Sequence, residues 1–399
     1  MVLPHHFGEV ARTVLAGEHE VRHAPILVRQ PGPSQLDWEP AKTTLPTHVS
    51  TLLRSCFVWL SFALSACLWS SAAQASGVLR VLAWPGYADP DMVKTFEQRT
   101  GAKVEVSYID TDEALWSRIS KNQGSDFDVF AVNTAELQRY IKKSLVVPLK
   151  IGAITNTRRQ LPQFQALEKI PGIVHGGKVF AMPYTYSEMG LIYDRQQIKS
   201  APTSIQALWD PRYQGKVLVY NGGAHNFALA ALALGSRTPF TLQASQWEPA
   251  VQQLIAMRRN ALTFYTQLDD SVQWFQSRKA ALLFANYGSQ QFKQLQAAGL
   301  DVGYAIPQEG ALAWLDCWVI TRGAKDTALA EAWINYTLEA VPGQILQDRQ
   351  GLANTTAPSP YLGPQDKLIW LEPVENVERR NLLWSRILSG DRASKVMAP

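Results

Sequence analysis

The chain has little with which to build a covalent or metal-held framework: 3 cysteines and 7 histidines in 399 residues. Cys56 and Cys67 fall in an N-terminal apolar run, so only Cys317 lies beyond it and no internal disulfide is expected. CxxC and HExxH spacings are absent, and beyond the apolar run the histidines reduce to the distant pair His175 and His225, so neither a metal nor another cofactor is expected. Without GxSxG, GxGxxG or GxxxxGK[ST] there is no nucleophile elbow and no phosphate loop, and an enzyme is not expected. Cys317 sits in an apolar strand pattern as a small core residue. Runs of Lys and Arg never exceed two or three residues and the formal charge is only +4, which argues against nucleic acid as a partner.

What the sequence does have is apolar residues, 46% of the total against 18% charged. That is enough for a large core divided among about two or three domains. The apolar run from Cys56 to Trp69 follows Arg54 and precedes Ala73-Gln74-Ala75, a signal-peptidase pattern before Ser76. It is shorter than the roughly 20 residues that span a bilayer, so cleavage and export to the periplasm are expected. Leu64-Ser65-Ala66-Cys67 also fits a lipoprotein box, the alternative in which Cys67 carries a lipid. Residues 1–48 do not read as a leader and are expected to be a disordered extension or untranslated, with residues 49–75 as the signal peptide.

Beyond Ser76 strands and helices alternate. Val78–Ala83 is a buried-strand run; Asp89-Pro90 opens a helix ended by Gly101; Lys103–Tyr108 alternates with period two; Asp110 or Thr111 caps a second helix; Phe127–Val132 is a third strand before a helix from Ala135. This order predicts an α/β fold, a parallel sheet with helices on its faces. Val179–Asp194 is a long extended stretch, Lys216–Asn221 starts another βα unit, and Ala280–Asn286 and Leu315–Thr321 read as further strands. Two lobes are expected, 76–184 plus 313–358 and 185–312 plus 359–399, with the ligand crevice at the carboxyl ends of the strands. The loops there carry Trp84 and Tyr87, Asn133 and Thr134, Asn221-Gly222-Gly223, and Asn286-Tyr287-Gly288.

Trp314 and Asp316, two residues apart in PQEGALAWLDCWVI (307–320), can grip an ammonium group between an indole face and a carboxylate. The plain alternatives are a core tryptophan, a strand-end aspartate, a surface Tyr87, helix-capping Asn133 and Thr134, a turn-shaping Asn286 and a surface His225 at a helix start.

The segments LRVLAWPGY (79–87), FEQRTGAKVEVSY (96–108), FDVFAVNT (127–134), AMPYTYSEMGLIYD (181–194), LWDPRYQGKVLVYN (208–221) and PQEGALAWLDCWVI, in this order, resemble the spermidine/putrescine-binding family of periplasmic substrate-binding proteins of ABC importers. The resemblance runs from about Val78 to about Pro358. It implies a type II-like two-lobe fold joined by crossing strands that closes on its ligand, acting as a monomer with an inner-membrane permease and ATPase. It implies ligand contacts at Trp84, Tyr87, Asn133, Thr134, Trp314 and Asp316, with Asp316 on a primary ammonium.

The departures are informative. Gly86 stands where family members tend to carry an acid, and Gly222 and His225 where the second lobe supplies an Asp and a Glu; Asn286 replaces a wall tryptophan. A polyamine therefore needs Glu188, Asp269 or Asp270 to reach the cleft. The alternative ligand is a mono-ammonium or zwitterionic amine, an ω-amino acid or opine, with its carboxylate at the Gly222-Gly223 helix start beside His225. A sensor module serving a membrane receptor is the reading of another class.

Overall fold

The structure, a computed structural model, describes residues 77–398. The proposed extension, the signal peptide and Cys67 lie outside the described residues. Strand β1 (Val78–Ala83) buries Leu79, Val81, Leu82 and Ala83 completely, as a strand covered on both faces requires. Helix α1 (Pro90–Thr100) starts where the Asp89 carboxylate accepts from the Asp91 N–H at 2.9 Å and Pro90 opens the first turn. It ends at Gly101, whose φ of 70° is left-handed and whose N–H returns to the Glu97 carbonyl. Strand β2 (Lys103–Tyr108) pairs with β1 in parallel. Of the two candidate caps for α2 (Asp112–Ser120), Thr111 does the work, its hydroxyl accepting from the Ala114 N–H at 3.1 Å. Strand β3 (Val129–Asn133) lies on the other side of β1, and Asn133 caps α3 (Thr134–Lys142) by accepting from the Glu136 N–H at 2.9 Å.

The chain then runs through β4 (Ala181–Met189) and, after the single residue Gly190, into β5 (Leu191–Asp194). At Gly190 it passes from one sheet to another. A Cβ there would lie 2.7 Å from the Tyr304 ring, so only glycine fits this crossing. The second sheet adds β6 (Val217–Tyr220), α4 (Gly223–Ala233), α5 (Trp247–Asn260), β7 (Ala261–Tyr265), α6 (Leu268–Ser277), β8 (Leu282–Phe284), α7 (Ser289–Ala297) and β9 (Val302–Ala305). The return crossing leads into β10 (Ala311–Thr321), followed by α8 (Thr327–Thr337), β11 (Leu368–Trp370) and α9 (Val377–Leu388).

The larger, eight-stranded sheet has the order 353–354, β4, β10, β3, β1, β2, with Val146–Val147 and β11 also on β10; the five-stranded sheet runs β7, β6, β8, β5, β9. Strand β10 begins four residues before the expected Leu315 and is buried along its whole length. It pairs antiparallel with both β3 and β4, so the two crossing strands lie side by side. The chain crosses a third time after β11, and α9 packs on α4 and α5 of the smaller sheet's layer. Arg380, fully buried, holds that segment by pairing with Glu375 at 2.8 Å and donating to the carbonyls of Ala224 and Pro239. Behind the crossing, in the core of the larger sheet, the Trp318 ring meets Tyr184 at a tilt and Trp333 edge to face.

Candidate ligand-binding site

The loops that follow β1, β2 and β3 in one sheet face those that follow β6, β7 and β8 in the other. Between them is a cavity of about 400 Å³. Trp84, Tyr87, Asn133, His225, Asn286, Trp314 and Asp316 all line it, seven side chains drawn from five separate stretches of sequence. Thr134 does not. As the first residue of α3 it turns away from Asn133, and it lines a different groove with Phe164, Leu315 and Trp370.

Asp316 is 5% exposed and stands opposite Asn133 in the β3–β10 register. Its Oδ2 accepts from the Tyr87 hydroxyl at 2.5 Å, while Oδ1 has no partner among the described residues. Burial raises its pKa to about 7 even though the Tyr87 hydrogen bond pulls it down. Tyr87 is itself 3% exposed, so it is part of the wall and not a surface tyrosine. Burial, and after it the charge of Asp316, drives the Tyr87 phenol well above its ordinary range. Trp314 donates its indole N–H to the Asn286 carbonyl at 3.1 Å, which fixes the plane of the ring across the two sheets. The Trp84 indole N–H has no acceptor, but neither do those of Trp318 and Trp333 in the core, so this carries no signal of a ligand.

On the other side, His225 Nδ1 lies 2.8 Å from Asn286 Oδ1. Burial holds the imidazole below its ordinary pKa, partly opposed by that bond, so the ring is neutral. Neither glycine of the expected anion subsite, Gly222-Gly223, lines the cavity. A Cβ on Gly222 would meet the Tyr220 ring at 2.5 Å and one on Gly223 would meet Asn381 Oδ1 at 2.5 Å and the Arg380 carbonyl at 2.9 Å. The Tyr220 ring therefore packs on Gly222 and the third crossing on Gly223.

Of the three acids expected as able to reach the cleft, Glu188, Asp269 and Asp270, only Asp269 lines it, and two acids without an expected role there, Asp110 and Asp112, line it as well. Glu188 is buried in β4 with neither carboxylate oxygen bonded, and Asp270 also lies off the cavity. Asp112 Oδ1 accepts from Asn133 Nδ2 at 3.2 Å. Burial, then Glu136, Glu113 and Asp316, push its pKa well above the carboxylate range against the pull of Arg139. The signal was available: Ile109-Asp110-Thr111-Asp112 is another loop at a strand's carboxyl end. Contacts also cross the cleft. Gln267 Nε2 donates to Asp110 Oδ2 at 3.1 Å, the Tyr287 hydroxyl lies 3.2 Å from the Asp110 carbonyl, and Gln290 Nε2 donates to the Pro85 carbonyl at 3.2 Å. No group of three or more potential metal ligands occurs among the described residues.

The spermidine/putrescine-binding periplasmic protein 1 of Haemophilus influenzae is 24% identical over 273 residues, 67% of this chain and 72% of its own length. A putrescine/cadaverine-binding protein of Pseudomonas aeruginosa is 22% identical over 360 residues, 81% of this chain and 98% of its length. Among solved structures, the spermidine/putrescine ABC transporter substrate-binding protein PotD of Streptococcus pneumoniae superposes with a TM-score of 0.62 at 20% identity, covering 80% of this chain and 99% of that one. The two-lobe binding-protein fold is thus shared. Residues 91–357 match the bacterial extracellular solute-binding protein profile, and the chain belongs to that family of solute-binding proteins.

Proposed function

We propose that the chain is the periplasmic ligand carrier of an ABC importer for small linear amines with two or more positive charges, closing its two lobes on them and delivering them to a membrane permease and its ATPase. The observation that carries this reading is the charge of the lining. Among the described residues Asp110, Asp112, Asp269 and Asp316 line the cavity, no lysine or arginine does, and the one histidine there is held neutral. A buried carboxylate without a counter-charge is strongly disfavoured, so the ligand supplies the cation. Trp84, Tyr87 and Trp314 supply aromatic walls for an alkyl stem and for a cation–π contact. The names of the Haemophilus and Pseudomonas relatives, for spermidine, putrescine and cadaverine, point the same way.

The lobes would follow the two sheets, 77–189 plus 311–370 and 191–305 plus 371–398, with boundaries shifted from the expected 184/185 and 358/359 because β4 and β11 belong to the larger sheet. In the open form Asp316 is hydrated; an ammonium replaces that water and the aromatic walls close over it. A micromolar affinity needs only about −8 kcal/mol, within reach of one ion pair, two aromatic contacts and a few hydrogen bonds after the cost of ordering. A zwitterion would need a counter-charge for its carboxylate; among the described residues the lining has no lysine or arginine, and the helix starts of α2 and α6 that reach it carry Asp112 and Asp269. Calorimetric titration with putrescine, spermidine and an ω-amino acid tests the reading: tight binding of the first two is expected, and tight binding of the ω-amino acid alone would overturn it.

A further inference from the structure

The loop after β2 delivers a second acid to the buried end of the cavity. Asp112 is half-buried, and its side chain has one protein partner, the Asn133 amide at 3.2 Å. Asn133 in turn is the strand position opposite Asp316. The two carboxylates therefore flank one asparagine on the same wall, and the charge of Asp316 raises the cost of ionising Asp112. Asp316, 95% buried by its 5% exposure, turns an unpartnered oxygen to the same space.

The nearby cation does not neutralise them. Arg139 pairs with Glu136 at 2.7 Å, lies 4.6 Å over the Trp116 ring, and reaches Asp112 only through its backbone carbonyl at 2.8 Å. Glu113 and Glu136 add negative charge from the same helices, Asp110 and Asp269 share the cavity lining, and the phenols Tyr87, Tyr140, Tyr220 and Tyr287 have raised pKa values, so none of these groups brings positive charge. Asp112 is not needed as the cap of α2, since Thr111 holds that role. With one ammonium on Asp316, the neighbouring Asp112 carboxyl gives up its proton only where further positive charge on the ligand stands against it.

We propose that Asp112 is a specificity-determining residue that, together with Asp316, forms a two-carboxylate receptor selecting amines that carry a second positive charge over those whose far end is neutral or anionic. This rests on the amine-binding reading.

The test is titration of the full chain and of Asp112→Asn with 1,4-diaminobutane and 4-aminobutanoate, with thermal unfolding of each unliganded protein alongside. The wild type is expected to prefer the diamine. Asp112→Asn is expected to weaken the diamine at least tenfold and to change 4-aminobutanoate less than threefold, so that the ratio of the two affinities collapses. Asp112→Ser, which keeps a residue suited to a helix start, is expected to do the same. Unchanged diamine affinity, or equal weakening of both ligands, would overturn the role of Asp112 while leaving the amine reading standing. Failure of the wild type to bind either probe would overturn the amine reading itself.

Discussion

Tyr87 and Asp316, 229 positions apart in sequence, are joined by a hydrogen bond of 2.5 Å between two side chains that are almost fully buried. The phenol supplies the one donor that offsets the burial of the carboxylate. Removing it leaves Asp316 harder to ionise. Tyr87→Phe should therefore weaken amine binding at pH 7 by about 1 to 1.5 kcal/mol, roughly fivefold to tenfold, as read by calorimetry. Unchanged affinity would mean that this bond does not tune the acid.

Asp316→Ala removes the anchor itself. Truncating one member of a buried charge pair costs about 2 to 5 kcal/mol, so diamine affinity should fall by between about thirtyfold and several thousandfold. An affinity within threefold of the wild type would remove Asp316 from the site.

Amine binding should depend on pH with a definite sign. The Asp316 carboxyl titrates at about 7, and primary ammonium groups stay charged well above that. Binding requires the Asp316 carboxylate, so affinity should rise with pH and fall by up to about tenfold per pH unit below about 7 on account of this group, and more steeply for a diamine that also needs Asp112 ionised. Titrations at pH 5.5 and 8 in buffers of different ionisation enthalpy would also reveal proton release at the lower pH. A flat profile contradicts the assignment.

Glu188, fully buried in β4 with both oxygens unbonded, predicts a stability effect away from the ligand. Burial raises its pKa from 4.5 to about 7. The folded state thus holds its proton over a range where the unfolded chain has lost it, and the contribution of this group is complete below about pH 4.5 and lost as pH rises through about 7. Glu188→Gln should flatten the fall in Tm between pH 5 and 8 and raise Tm at pH 8. A variant that melts like the wild type at both pH values would show that the carboxyl is solvated.

The contacts of Gln267 and Tyr287 with Asp110 join the loops of the two sheets at the cavity mouth. Gln267→Ala should loosen the closed pair by about 0.5 to 1.5 kcal/mol, seen as a dissociation rate raised severalfold with little change in association rate. An altered association rate alone would contradict a role in holding the lobes together.

The alternation of strand and helix was legible because strand and helix signals are local. Asp89-Pro90 and Gly101 bracket α1 by backbone chemistry that needs no distant partner, and Lys103–Tyr108 shows its period directly. Trp314 and Asp316 stood out because strand alternation puts residues two apart on one face. The start of β10 was misjudged because a strand paired on both sides shows a continuous apolar run with no marked beginning.

The sequence by itself determined the α/β class, the two-sheet organisation and the aromatic and acidic residues at the strand ends, since propensity, capping and period act over a few neighbouring residues. Only the tertiary structure decided which charges share the cavity. It packed the Tyr220 ring on Gly222 and the third crossing on Gly223, turned Thr134 away, held His225 neutral and set Asp112 beside Asp316. Burial and the approach of side chains more than a hundred residues apart fix those properties, and no local pattern encodes either.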